Sequence, residues 1–160
     1  MLRQATRHHP ILRPSDLEML RSGPSYMVDT LRTVAQSEPG RDIFLILGID
    51  AYAEIDTWHR PEDLLPLAHI IVTTRSGHDL PRSGIKPPVA ARADCCYDSE
   101  IGCHKHKSGH RLLVYHLDGF DVSSSEIRRR AASGMDVAEL TGPEVAEYIR
   151  THHLYEATSR

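Results

Sequence analysis

The apolar positions of this chain change period as one reads along it. Val28, Leu31 and Ala35 share one helical face, with Ser25 ahead of them and Pro39-Gly40 behind, which predicts a helix capped by Ser25. Asp42 to Gly48 is then almost continuously apolar, the pattern of a parallel strand buried on both faces. Pro61 opens a helix through Leu64, Leu65 and Ala68, and Ile70 to Thr74 reads as a second buried strand. Strand, helix, strand in this rhythm is a βαβ crossover. The expected architecture is therefore α/β, a Rossmann-like parallel sheet with helices on both faces.

The flanks are less regular. Leu2 to His8 reads as the tail of a helix stopped by Pro10, and Ser76 to His110 dissolves into a long surface segment. Arg111 to Leu117 returns as a strand, and Asp121-Val122 reads as a short strand breaking into a helix at Ser123. Thr141 and Glu144 form a capping-box pattern around Pro143, opening a terminal helix that packs Val145, Ile149 and Tyr148. The reading is one domain over residues 1–155, with a frayed tail over 156–160.

Composition narrows the function classes. A length of 160 residues suits one domain with a real core, and 40% hydrophobic with 26% charged residues is an ordinary globular balance. A net charge of −3 argues against general nucleic-acid affinity, so any phosphate site must be local. The longest apolar run, Ile43 to Ile49, falls far short of the roughly 20 residues that span a bilayer. No apolar stretch follows the basic N-terminus, so no secretory signal is read, and the three cysteines are expected as reduced thiols in the cytoplasm.

Several positions carry candidate chemistry. Ser123 can cap a helix while Glu126 returns the bond, leaving the N–H groups of Ser124 and Ser125 facing an anion. Arg128, one turn on, can hold a phosphate by two parallel bonds; the competing reading is a capped helix whose Arg128, Arg129 and Arg130 are solvated. Gly48 and Asp50 end a parallel strand, where ligands bind in open α/β sheets, although Asp50 also suits a helix cap. Cys95, Cys96, Cys103, His104, His106 and His110 are soft zinc ligands without a standard spacing.

Several segments, taken in order, carry a family likeness. They are Gly23-Pro24-Ser25-Tyr26-Met27-Val28-Asp29-Thr30-Leu31, Phe44-Leu45-Ile46-Leu47-Gly48-Ile49-Asp50 and Thr57-Trp58-His59. Then come Ala68 to Arg75, the Ser123-Ser124-Ser125-Glu126-Ile127-Arg128 helix start, and Val145 to Arg150. Together they resemble bacterial nicotinate-mononucleotide adenylyltransferases, from Met1 to about Tyr155. The resemblance implies transfer of AMP from ATP to nicotinate mononucleotide, with Mg²⁺, giving deamido-NAD and pyrophosphate.

It also implies roles. Ser124, Ser125 and Arg128 would hold ATP, Gly48 and Asp50 a ribose, and Trp58 would stack on the nicotinate ring beside the His59 backbone. Arg75 would meet a phosphate, and Met27 stands where the family usually has a threonine hydroxyl. The family's H-x-G-H motif has no counterpart before Ser25: Met1-Leu2-Arg3-Gln4-Ala5 resembles the middle of a family helix, and Ser15 to Met19 the strand after it. By this likeness the first β–α unit is absent and no catalytic histidine is assigned. His106-Lys107-Ser108-Gly109-His110 has one residue too many and precedes a strand, so it is no substitute. The rival expectation is a non-catalytic nucleotide-binding or interaction protein on the same scaffold, stapled by zinc at the Cys/His loop.

Overall fold

A computed structural model describes residues 1–75, 84–117 and 122–156, with the side chain of Arg75 outside that set. The chain forms two compact units, residues 17–119 and residues 1–16 with 120–160.

The larger unit is built on a five-stranded sheet of order β1-β2-β5-β4-β3. The strands are β1 (Phe44–Gly48), β2 (His69–Arg75), β3 (Cys95–Asp98), β4 (Cys103–His106) and β5 (Arg111–Leu117). β1, β2 and β5 run parallel, with Leu45 beside Ile70 and Ile70 beside Leu112. The expected parallel sheet is present, and an antiparallel hairpin, β3–β4, extends it through β5. The segment expected as surface coil thus contributes two strands.

That hairpin is held by backbone pairing and turn chemistry, with Cys103 buried and Cys95 packed on the core. Asp98 accepts from the N–H groups of Glu100 and Ile101 at 3.1 and 3.2 Å, and Gly102 takes the left-handed φ of 73° that closes the turn.

Helices α2 (Met27–Ser37), α3 (Ile49–Ala53) and α4 (Leu64–Leu67) share one core with the sheet. Val28, Leu64, Leu65, Ile70 and Val72 are essentially inaccessible, each worth roughly 1.5–3 kcal/mol of burial. Only one face of β1 joins that core. Leu45 and Leu47 are buried, while Phe44 and Ile46 are 50% and 64% exposed, which corrects the expectation of burial on both faces. The physical reason is the pleat: α2, α3 and α4 all pack against the same alternate residues.

Two local expectations are also corrected. Residues 15–19 hold no strand, and Ser25 does not cap α2; its hydroxyl donates to the Glu18 carbonyl, leaving Tyr26 as N-cap.

The smaller unit contains α1 (Leu2–Ala5), α5 (Ser124–Ala132), α6 (Ala138–Thr141) and α7 (Pro143–Thr151). Val137, Val145 and Ile149 form its core, joined by Ile127, Ala131 and Leu154. The Thr141–Glu144 capping box does not form. Gly142 is the N-cap of α7, Thr141 donates to the Val137 carbonyl, and Glu144 instead meets His8 at 3.0 Å. Asp121 lies outside the described residues, and Val122 is in no strand. Among the described residues no helix is long and apolar enough to cross a membrane.

Candidate functional site

In the smaller unit the start of α5 keeps half of its expected capping box. The Ser123 hydroxyl accepts from the Glu126 N–H at 3.1 Å. The Glu126 carboxylate does not return the bond, because two guanidiniums one turn away outcompete a neutral N–H. Arg129 reaches it at 2.9 and 2.7 Å and Arg130 at 2.7 Å. Those hydrogen bonds hold the Glu126 carboxyl down at about 2. Arg128 is exposed and, among the described residues, pairs with no carboxylate. With Ser124 and Ile127 it lines a cleft of about 350 Å³.

In the larger unit Gly48 caps α3 from an extended conformation, φ −68° and ψ 153°. A Cβ there would meet nothing within 4 Å, so neither backbone geometry nor packing demands glycine. Asp50 lies exposed in the first turn of α3 and makes no capping bond, so its cap reading is not realised. Beneath them the Tyr52 hydroxyl donates to the Lys86 carbonyl at 2.8 Å, and burial pushes that phenol well above its ordinary range.

Trp58 and His59 sit in a short loop between two 3₁₀ turns, Ile55–Thr57 and Pro61–Asp63. Trp58 is half-buried against the core while His59 is exposed. The Tyr26 ring, at the N-cap of α2, stacks on His59 with centroids 4.2 Å apart. The Tyr26–His59 stack therefore ties the loop that carries Trp58 to the start of α2. Met27 is partly buried and packs on the core. Sequence reasoning missed Tyr26 as a partner of His59. No spacing rule signals a stack across 33 residues, and the left-handed Arg60 was equally unreadable, because a residue before proline is expected to be extended.

The Cys/His segment does not assemble a metal site. Among the described residues no group of three or more His, Cys, Asp or Glu side chains could hold an ion. β-pairing sets Cys95 opposite His106 and Cys103 opposite Asp98, spreading the six residues along two strands and a turn. Burial pushes the Cys95 thiol up, away from the thiolate zinc requires.

His106 to His110 is a structural turn. The His106 N–H donates to the His110 carbonyl at 2.9 Å, Gly109 takes φ 99°, and Ser108 bridges to the Leu65 carbonyl at 3.3 Å. Arg75 ends β2, but its side chain lies outside the described residues.

No family model matches the chain. It is 36% identical over 157 residues to a probable nicotinate-nucleotide adenylyltransferase of Citrifermentans bemidjiense, covering 97% of this chain and 72% of that protein. The same figures hold for the like-named protein of Geobacter metallireducens. In Symbiobacterium thermophilum the identity is 36% over 155 residues, covering 68% of that protein. The fold matches Plasmodium falciparum nicotinic acid mononucleotide adenylyltransferase complexed with APC, at TM-score 0.55 and 19% identity. The same protein complexed with NaAD matches at TM-score 0.56. This chain spans 60% and 58% of the lengths of those two structures.

Proposed function

Since the chain belongs to the nicotinate-nucleotide adenylyltransferase family, we propose that it serves the transfer of AMP from ATP to nicotinate mononucleotide in NAD biosynthesis. The observation that carries this reading to the site is the Tyr26–His59 stack, which ties the loop bearing half-buried Trp58 to the start of α2. A half-buried indole is a platform for an electron-poor pyridinium ring. The His59 main chain can add a hydrogen bond to the nicotinate carboxylate. Gly48 and Asp50 would take a ribose, Ser124, Ser125 and Arg128 the ATP phosphates, and Arg75 a further phosphate.

In the reaction a phosphate oxygen of nicotinate mononucleotide attacks the α-phosphorus of ATP in line. The new P–O bond forms as the bond to pyrophosphate breaks. Such chemistry needs positioning and charge neutralisation, not a protein nucleophile. The residues described offer no three-ligand metal cage. Mg²⁺ would then arrive on the nucleotide, held by phosphate oxygens and water in its usual manner. A cytoplasmic setting and residues 1–155 working as one nucleotidyltransferase-like domain belong to the same proposal.

A second reading is nucleotide binding without catalysis on the same scaffold. Titration of Trp58 fluorescence tests the first. Nicotinate mononucleotide should quench it, and Trp58→Ala should weaken that ligand while sparing ATP. Equal loss of both ligands would mean that Trp58 is core and that the platform lies elsewhere.

A further inference from the structure

The Trp58–His59 loop is fastened to α2 at two points. At one end His59 stacks on Tyr26. At the other, Asp63 accepts from Arg32 of α2 at 2.6 Å, and the same carboxylate oxygen, Oδ2, pairs with Arg60. Arg32 also meets Asp29 at 3.1 Å, so the bridge is part of a four-residue chain of alternating charge. Tyr26 and Arg32 are six residues apart, which spaces the two fastenings by about 9 Å along the helix.

Between them the backbone takes an unusual course. Trp58 is extended at φ −71° and ψ 158°, and Arg60 is left-handed at φ 53° and ψ 59°. A non-glycine residue rarely adopts that conformation, and it persists where the surroundings over-determine it. Here the surroundings are Pro61, which fixes the next φ, and Asp63, whose N–H reaches the Arg60 carbonyl at 3.1 Å while its carboxylate holds the guanidinium.

We propose that Asp63 is the positioning residue of the nicotinate subsite. By bridging Arg60 to Arg32 it locks the Trp58–His59 loop onto α2, so the indole is presented already oriented to a pyridine nucleotide. The inference rests on the reading of Trp58 as the nicotinate platform. A merely structural Asp63 would alter the stability of the chain without altering its affinity for nicotinate mononucleotide where the chain is folded. A positioning Asp63 acts through the fraction of molecules whose loop is competent. Apparent affinity falls in proportion to that fraction.

Trp58 is the sole tryptophan, so fluorescence excited selectively at tryptophan, beyond the tyrosine absorption, reports this loop. The test compares the full chain with Asp63→Asn, Asp63→Glu and Arg32→Gln. It reads Trp58 anisotropy, iodide quenching, and titrations with nicotinate mononucleotide and with ATP. Expected for Asp63→Asn and Arg32→Gln are lower anisotropy, stronger iodide quenching and about tenfold weaker nicotinate mononucleotide binding, with ATP affinity unchanged. Asp63→Glu, which keeps the charge, should recover most of the loss.

Unchanged Trp58 anisotropy and nicotinate mononucleotide affinity in both charge-removing variants would overturn the proposal alone. Equal loss of ATP and nicotinate mononucleotide would do so too, because it marks general unfolding. A wild-type chain whose Trp58 does not respond to nicotinate mononucleotide would instead sink the platform reading from which the proposal starts.

Discussion

Arg130 donates from Nε to Oε1 of Glu126 at 2.7 Å, and this single contact helps divide three consecutive arginines into two kinds. With Arg129 on the same carboxylate, Glu126 engages two of the three guanidiniums, which share its single negative charge. Arg128 keeps its guanidinium for something else.

Arg128→Ala should therefore weaken ATP binding by about one to two decades, the worth of a charge-assisted hydrogen bond of roughly 1.5–3 kcal/mol. Arg129→Ala and Arg130→Ala should be near-neutral for ATP, because their partner is already within the helix. Isothermal titration of the three variants decides it. Comparable losses at all three would reduce α5 to a solvated basic face.

The parallel half of the sheet was legible because β1 is an apolar run, β2 carries Ile70, Ile71 and Val72 in succession, and α2 and α4 carry apolar faces. The hairpin was not, since Cys95–Asp98 and Cys103–His106 have no apolar alternation and owe their strands to the edge of β5. Burial on one face of β1 was equally invisible. An apolar run records what a strand can bury, not what packs against it.

The candidate site residues could be named one by one from the sequence, but their connections could not. Trp58 and His59 followed from the family likeness, whereas Tyr26 against His59 and Asp63 against Arg32 join segments about thirty residues apart. Capping was misread at Ser25 and Thr141 for a local reason. Each hydroxyl had a backbone carbonyl within reach and donated to it.

Met27→Thr bears on substrate affinity. If position 27 faces the pyridine nucleotide, the restored hydroxyl should tighten its binding by about one hydrogen bond, roughly 0.5–1.5 kcal/mol. Met27 also packs partly buried on the core, so the same change should lower the melting temperature by a few degrees. Reduced stability with unchanged or weaker nucleotide affinity would assign Met27 to packing alone.

Residues 1–160 alone should release little or no pyrophosphate from ATP and nicotinate mononucleotide, because the sequence carries no H-x-G-H to grip the ATP phosphates. Loss of one preorganised donor already costs about 10²–10³ in rate. A coupled pyrophosphate assay on the purified chain checks this, and robust turnover would refute it. A polypeptide extended upstream by a strand, Gly-rich turn and H-x-G-H should regain activity.

The histidines around the β4–β5 turn predict how stability depends on pH. His106 is 3% exposed, its Nδ1 accepts from the Ser108 N–H at 3.1 Å, and burial holds its pKa below the ordinary value. His69 accepts the Arg111 N–H on Nδ1 at 3.1 Å; burial and then the nearby His110 lower its pKa as well. The unfolded chain therefore binds protons at these sites more readily than the folded one. Their contribution is complete above about pH 6.5 and is lost as pH falls below it. The slope can reach about 1.4 kcal/mol per pH unit for each group that protonates only on unfolding. The contribution of Glu126 is lost at lower pH, starting as pH falls through the ordinary carboxylate range and finishing near its folded pKa of about 2. Urea titrations between pH 5 and 8 should show the midpoint falling on the acid side. His106→Gln, which keeps an acceptor for Ser108, should lower stability by about 1–3 kcal/mol yet flatten that slope. A midpoint that holds constant from pH 8 to 5 in the wild-type chain would show that these imidazoles protonate without cost to the fold.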